Sequence, residues 1–287
     1  MKKRTVVHIL KSEPLQMGHL EVKQPLPTMR VEQISPFLLL HHFGPMPVEP
    51  GADPLDLGPH PHRGFEPVTF LYSGGIRHKD SRGNEGILQG GDVQWMTAGR
   101  GIIHSERASG EFLDKGGVME GIQLWINLPK KDKMAQPAYQ DIKAALIPEI
   151  VEDDGKVNLR LVAGAYKGKQ GPARTFTPIL ALQATLSSGG SAEVEIPGHF
   201  NALLYILHGE VQLNENFSYE SETMLHFRND GEGFSLRAKA DSQVLILGGA
   251  PIGEPLAQWG PYVMNTQTEI MEAMRDYQMG KMGVYIE

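Results

Sequence analysis

Apolar residues along this chain fall into short runs rich in β-branched and aromatic side chains, separated by glycine-bearing turns. One run covers 68–72 and is closed by Ser73-Gly74-Gly75. A second, at 93–96, follows the turn Gly90-Gly91-Asp92, and a third covers 121–128. Runs of this kind between turn signals read as strands. After Pro129 the texture changes to Lys130-Lys131-Asp132-Lys133 and then to a polar stretch reaching Gly155. Strand-like runs resume at 159–162, 179–186, 202–207, 234–238 and 244–247. Only the end carries a helical period. Thr266 and Glu269 make a capping box, Ile270, Met271, Met274 and Tyr277 share one apolar face as core contacts, and Gly280 supplies a stop. The pattern predicts an all-β chain with a short C-terminal helix. Its expected domains are 1–135 and 156–287, the second ending in that helix, with a linker over 136–155.

The two halves read as weak copies. Leu71-Tyr72-Ser73-Gly74-Gly75 matches Tyr205-Ile206-Leu207-His208-Gly209 at an offset of 134 residues. Carried back, that offset sets His60 and His62 opposite Val194 and Ile196. The C-terminal domain is therefore expected to keep the shell without the metal ligands.

Composition narrows the chemistry. With 27 Lys and Arg against 34 Asp and Glu, the chain has a net charge of -7 and no global attraction for phosphate backbones, so no direct nucleic-acid partner is expected. There are no cysteines, which excludes disulfides, thiolate metal sites and cysteine nucleophiles. No stretch approaches the ~18 continuous apolar residues of a membrane span. His8, Lys11, Ser12 and Glu13 interrupt any apolar signal core. A cytoplasmic protein without a membrane partner is the expectation.

The informative segment is His60-Pro61-His62-Arg63-Gly64-Phe65-Glu66. Residues i and i+2 of a strand face the same side, so His60 and His62 can converge on one ion. Among eleven histidines such a pair alone means little. A second segment, Gly101-Ile102-Ile103-His104-Ser105-Glu106, repeats the geometry with a histidine and a carboxylate. Two adjoining strands would then offer three nitrogens and one oxygen to a shared point: His60, His62, His104 and Glu106. This mixed set without sulfur suits Fe, Mn, Co, Ni, Cu or Zn and does not choose among them. His41 and His42, adjacent in sequence, should point to opposite faces. His8, His19, His78, His199, His208 and His226 lack partners at ligand spacing.

These residues also carry a resemblance. His60-x-His62-x-x-x-Glu66 followed by Gly74 or Gly75 looks like the first cupin motif, and Gly91-Asp92 through Gly99 to His104 looks like the second, with Thr97 where many cupins carry proline. More narrowly, 60–66, 94–101, 123–128 and 260–266 resemble the pirin family over nearly the whole chain. The resemblance implies a bicupin: two jelly-roll β-barrels, with metal in the N-terminal one only. It implies Fe(II) as the metal, held by His60, His62, His104 and Glu106. Cupins generally use the glutamate at Glu66 as a ligand, and strand parity would aim it inward with His60 and His62. Pirins use the later one, so Glu66 is expected behind the ligands, fixing a histidine tautomer or serving as a reserve base.

The resemblance further implies a dioxygenase of the quercetin 2,3-dioxygenase type, acting on a flavonol and dioxygen. Glu106 is the candidate general base, and Phe65, Trp95, Met96 and Trp125 are candidates for an apolar substrate wall. The alternative is a non-catalytic regulator in which iron oxidation state alters binding to a protein partner.

Overall fold

The structure, a computed structural model, describes residues 1–55 and 57–286. Contacts gather the chain into two compact units, each discontinuous in sequence. One holds Pro14–Lys23, Phe37–Ala144 and the chain from Ile252 onward; the other holds Met1–Glu13, Gln24–Pro36 and Ala145–Pro251. They are called here the first and second barrels. Simple cuts at 135 and 156 differ from this grouping in three ways. Met1–Glu13 and Gln24–Pro36, which lie before the first cut, group with the second barrel. The segment 136–155 is built into sheets, as Ala138–Ile142 and Glu149–Glu152. The C-terminal helix groups with the first barrel and not with the second.

Among the described residues, each barrel is a seven-stranded sheet facing a four-stranded one. In the first barrel the small sheet runs Leu57–His62, Ile102–Ala108, Gly75–Asp80, Glu85–Gln89. In the second it runs Ser191–Glu195, Gly233–Ala238, Glu210–Leu213, Phe217–Glu220, which is the same order. The large sheets match in the same way. Phe65–Ser73 lies between Val93–Thr97 and Gly117–Asn127, and Asn201–His208 lies between Thr223–Phe227 and Ser242–Gly249. The outermost strand on that side is Ala138–Ile142 in the first barrel and the N-terminal strand Val6–Lys11 in the second. These are two jelly-roll barrels of one design.

The second barrel has a continuous apolar core that includes Val194, Ile196, Leu213, Phe234 and Leu236, each at most 3% exposed. The interior of the first is broken by buried polar groups: His62, Glu66, His78, His104 and Glu106.

The helix Gln267–Gln278 has the expected capping box, with Thr266 accepting from the Glu269 backbone N–H and Glu269 reaching back to Thr266. Its packed face differs from expectation. Ile270 and Ala273 are buried in a cluster with Ile103, Tyr262, Met264 and Met282, whereas Met271 is 63% exposed and Met274 and Tyr277 are each 38% exposed. The helix is rotated so that small Ala273 allows close approach. A second, shorter helix, Gly110–Lys115, was not signalled by any periodicity.

Candidate metal centre

Between His62 and Phe65 the chain leaves the small sheet for the large one. Gly64 makes the change at φ +87°, where a side chain would also collide with the Val263 carbonyl. Lys133 is 1% exposed and locks the corner by donating to the Gly64 carbonyl (2.8 Å), the Val263 carbonyl (2.8 Å) and Asn127 Oδ1 (2.7 Å). Burial pushes its pKa down to about 7, while three acceptors use all three of its N–H donors and favour the ammonium.

The ladder between Leu57–His62 and Ile102–Ala108 sets His60 directly opposite His104 and His62 opposite Ile102. His60, His62 and His104 therefore meet as three imidazoles, with ring centroids 4.4 to 4.8 Å apart. Each offers a nitrogen within 4.8 Å of the other two. On the other side, the regular ladder with Gly75–Asp80 sets Glu106 opposite His78, and His78, His104 and Glu106 form an adjoining group on the same criterion. The sequence reading gave His78 no partner. The structure buries it at 2% exposure with its Nδ1 3.3 Å from Nδ1 of His104.

The donor set fits a metal ion on its own evidence. Both ring nitrogens of His62 and Nε2 of His104 are buried without a hydrogen-bond partner. Buried polar atoms left unpaired cost roughly 1–3 kcal/mol each, and an ion drawing one nitrogen from each ring would relieve part of that cost. Nδ1 of His60 lies 2.9 Å from the Gly58 carbonyl, which it meets as a donor, leaving Nε2 as the ligating atom. Burial first, then neighbouring imidazoles, push the pKa values of His62 and His104 well below the ordinary histidine range. Both are thus neutral, the form that binds metal.

Glu106 is buried, and its pKa is raised by desolvation against the opposing pull of His60, Gln123 and Thr69. Two residues hold it in line: Trp125 Nε1 donates to Gln123 Oε1 (3.1 Å) and Gln123 Nε2 donates to Glu106 Oε2 (3.3 Å). Gln123 was missed in the sequence because its role depends on Glu106, 17 residues away and in the other sheet of the barrel. Beside Glu106 lies a mainly apolar cavity of about 30 Å³, lined by His41, Phe43, Leu55, Ile76 and Thr69 among others. His41 faces it, and His42 points the other way, its Nε2 2.9 Å from Glu120 Oε1.

Glu66 departs from the parity argument. The Gly64 corner puts it in the large sheet, where it accepts from Thr97 Oγ1 at 2.8 Å. No histidine is its hydrogen-bond partner among the described residues, so it fixes no tautomer. Burial raises its pKa to about 7, with Thr97 and then Trp95 opposing. Of the aromatic candidates, Phe65 and Trp125 stand against His62, at 5.1 and 5.5 Å between ring centroids, and against each other at 4.3 Å. Trp95 is fully buried, and Met96 packs with Ala98, Ile102 and Tyr139; both sit in the core.

Comparison with known proteins agrees with this fold. The Pirin family model matches residues 19–126, and the model for the pirin C-terminal cupin domain matches 181–283. A Pseudomonas aeruginosa protein named, provisionally, a quercetin 2,3-dioxygenase is 40% identical over 250 residues, 87% of each chain. A crystal structure of quercetin 2,3-dioxygenase from Acinetobacter baumannii superposes with a TM-score of 0.94 at 38% identity, covering 99% of this chain and 100% of that one. A bacterial pirin from Escherichia coli, solved in complex with nickel(II), shares the fold at 20% identity, with a TM-score of 0.66 over 85% of this chain and 98% of that one.

Proposed function

The chain belongs to the pirin family, and from that premise we propose that its first barrel is a mononuclear metal centre catalysing the dioxygenation of a flavonol such as quercetin. The observation that carries the reading is the convergence of His60, His62 and His104 with unpartnered buried nitrogens beside a carboxylate of raised pKa, Glu106. His60, His62, His104 and Glu106 are assigned as the ligands. Fe(II) is the ion we propose, in line with the family; three neutral nitrogens and one carboxylate suit Mn, Co, Ni, Cu and Zn as well.

The bound ion supplies Lewis acidity toward the 3-hydroxyl or adjacent carbonyl of the flavonol, and the redox chemistry that dioxygen requires. The rest is work for the protein. Glu106, once its bond to the ion loosens, would take the hydroxyl proton as the substrate ionises. Trp125 and Gln123 keep its carboxylate aimed, and the face of Trp125 with Phe65 offers an aromatic surface next to His62. The net reaction would take up one dioxygen, whose two atoms end on the carbons flanking the hydroxyl-bearing carbon, while both C–C bonds of that carbon break and it leaves with its own oxygen as carbon monoxide. Glu66 is the reserve base, although its bond to Thr97 turns it toward the large sheet. The protein is assigned to the cytoplasm; no helix among the described residues is long and apolar enough to cross a membrane.

The test is anaerobic loading with Fe(II), metal analysis, then oxygen-electrode traces over a flavonol panel. Oxygen uptake with quercetin is expected, and none after His62→Ala in a protein that remains folded. A metal-loaded protein that consumes no oxygen with any flavonol would rule the enzyme out. One observation favours a second reading, a redox-responsive regulator acting on a protein partner. The cavity beside Glu106 has room for one or two water molecules, far less than a three-ring substrate. Partner binding that differs between Fe(II) and Fe(III), without turnover, would establish that reading instead.

A further inference from the structure

We propose that His78 is a positioning residue for the metal centre: its Nδ1 accepts the Nδ1–H of His104 and so fixes Nε2 of His104 as the ligating atom. The inference rests on the reading of His60, His62 and His104 as metal ligands.

The two Nδ1 atoms are 3.3 Å apart and both rings are 2% exposed, so water does not mediate between them. At that separation one nitrogen must carry a proton and the other a lone pair. If the proton sat on His78, His104 would hold its own proton on Nε2, the atom that is buried and unpartnered. No ligand could then be made of it. Metal binding therefore selects the opposite arrangement, in which His104 donates through Nδ1 and presents the Nε2 lone pair. His78 must in turn be neutral, with its own proton on Nε2.

The surroundings hold His78 for this task. Its strand pairs it with Glu106 one ladder step from His104, and the ring of Tyr139 packs over it at 4.5 Å between centroids. Tyr139 belongs to the strand Ala138–Ile142, at the edge of the large sheet. The second barrel offers a control within the same chain. There the position matching Glu106 is Leu236, and its partner across the ladder is Leu213 in place of His78. The second barrel thus lacks the ligand and the group that would orient it together.

A hydrogen-bonding partner of a metal-ligating histidine is worth about 10- to 100-fold in metal affinity. The experiment titrates metal-free protein with Co(II) against a competing chelator and records the visible ligand-field spectrum, for wild type, His78→Phe, His78→Asn and His62→Ala. Wild type should bind one Co(II). His78→Phe, which keeps the ring and removes the acceptor, should bind about 10- to 100-fold more weakly with shifted bands. His78→Asn, whose amide oxygen can stand near the lost Nδ1, should recover most of the affinity. Equal affinity and an unchanged spectrum in His78→Phe would overturn the proposal. So would loss as complete as in His62→Ala with no recovery in His78→Asn, which would make His78 a ligand. Two Co(II) per wild-type chain falling to one in His78→Phe would place a second ion on His78, His104 and Glu106, and would also overturn it. If wild type takes up no Co(II), or His62→Ala binds as wild type does, the metal reading fails first and this inference falls with it.

Discussion

The two barrels share strand order and ladder register, yet differ at the same interior positions. In the first, His60 stands opposite His104; in the second, the matching rung is Val194 opposite Phe234. His62, Glu106 and His78 have Ile196, Leu236 and Leu213 as counterparts, all buried in one apolar cluster. The comparison teaches that the polar site is an addition to a frame that stands without it. A barrel of this design closes on aliphatic and aromatic contacts alone, as the second barrel does. The first gives up those contacts at five positions for imidazoles and a carboxylate that are poorly satisfied until an ion arrives.

The sharpest way to break the comparison is to truncate one interior residue in each barrel. His62→Ala should leave the first barrel folded while abolishing metal uptake and oxygen consumption, a loss of at least about 10³-fold or ~4 kcal/mol in the barrier. Metal content by elemental analysis and oxygen-electrode rates check it. Retained activity would mean that the polar rung is not the reaction centre.

Next in size is Phe234, the counterpart of His104 in the second barrel. Phe234 is fully buried and stacks on Phe227 with ring centroids 4.3 Å apart and planes 6° from parallel. Phe234→Ala should cost about 3–5 kcal/mol of stability, the usual penalty for emptying an aromatic core position, with metal affinity unchanged. Denaturant unfolding and Co(II) titration read the two quantities separately. A Phe234→Ala protein of normal stability would show that the second interior is loosely packed and that the shared frame is less robust than its ladders imply.

How much of this was legible in the sequence depended on distance along the chain. The pair His60 and His62 and the pair His104 and Glu106 were visible because a strand repeats every two residues, and the helix announced itself through Thr266 and Glu269. His78 was invisible, since its partners are 26 and 28 residues away and are reached only through a ladder. The parity argument for Glu66 failed because Gly64 turns the chain between sheets, and a glycine in a motif does not say whether the strand continues past it. The polar texture of 130–155 concealed Ala138–Ile142, an edge strand with a single fully buried side chain, and Lys133, whose charge is consumed by carbonyls at the corner. The repeat offset of 134 suits His60 and His62, whereas the turn glycines at positive φ are Gly74 and Gly209, one residue out of step. A single insertion between turn and ligand strand accounts for the difference.

The smallest effect concerns Glu66, a carboxyl group set among buried side chains in the large sheet of the first barrel. Its folded pKa is raised to about 7 from an ordinary value of 4.5, chiefly by burial. Between those values the folded state binds more protons than the unfolded one, so the contribution of Glu66 to stability is full below pH 4.5 and is lost as pH rises through about 7. Glu66→Gln keeps an acceptor for Thr97 Oγ1 and removes the titration. The variant should gain on wild type as pH is raised, by up to roughly 2–3 kcal/mol between pH 4.5 and 8. Urea midpoints of metal-free protein across that range measure it, and metal-free samples keep the histidine cluster from contributing through ion binding. His62, His104 and His78 run the other way: with pKa values lowered by burial, they favour the folded state above their unfolded pKa and disfavour it below. Both proteins carry those histidines, so their effect cancels in the difference between variant and wild type. A difference that stays flat with pH would show that Glu66 is ionised in the folded protein throughout. The large sheet of the first barrel would then hold a buried carboxylate charge.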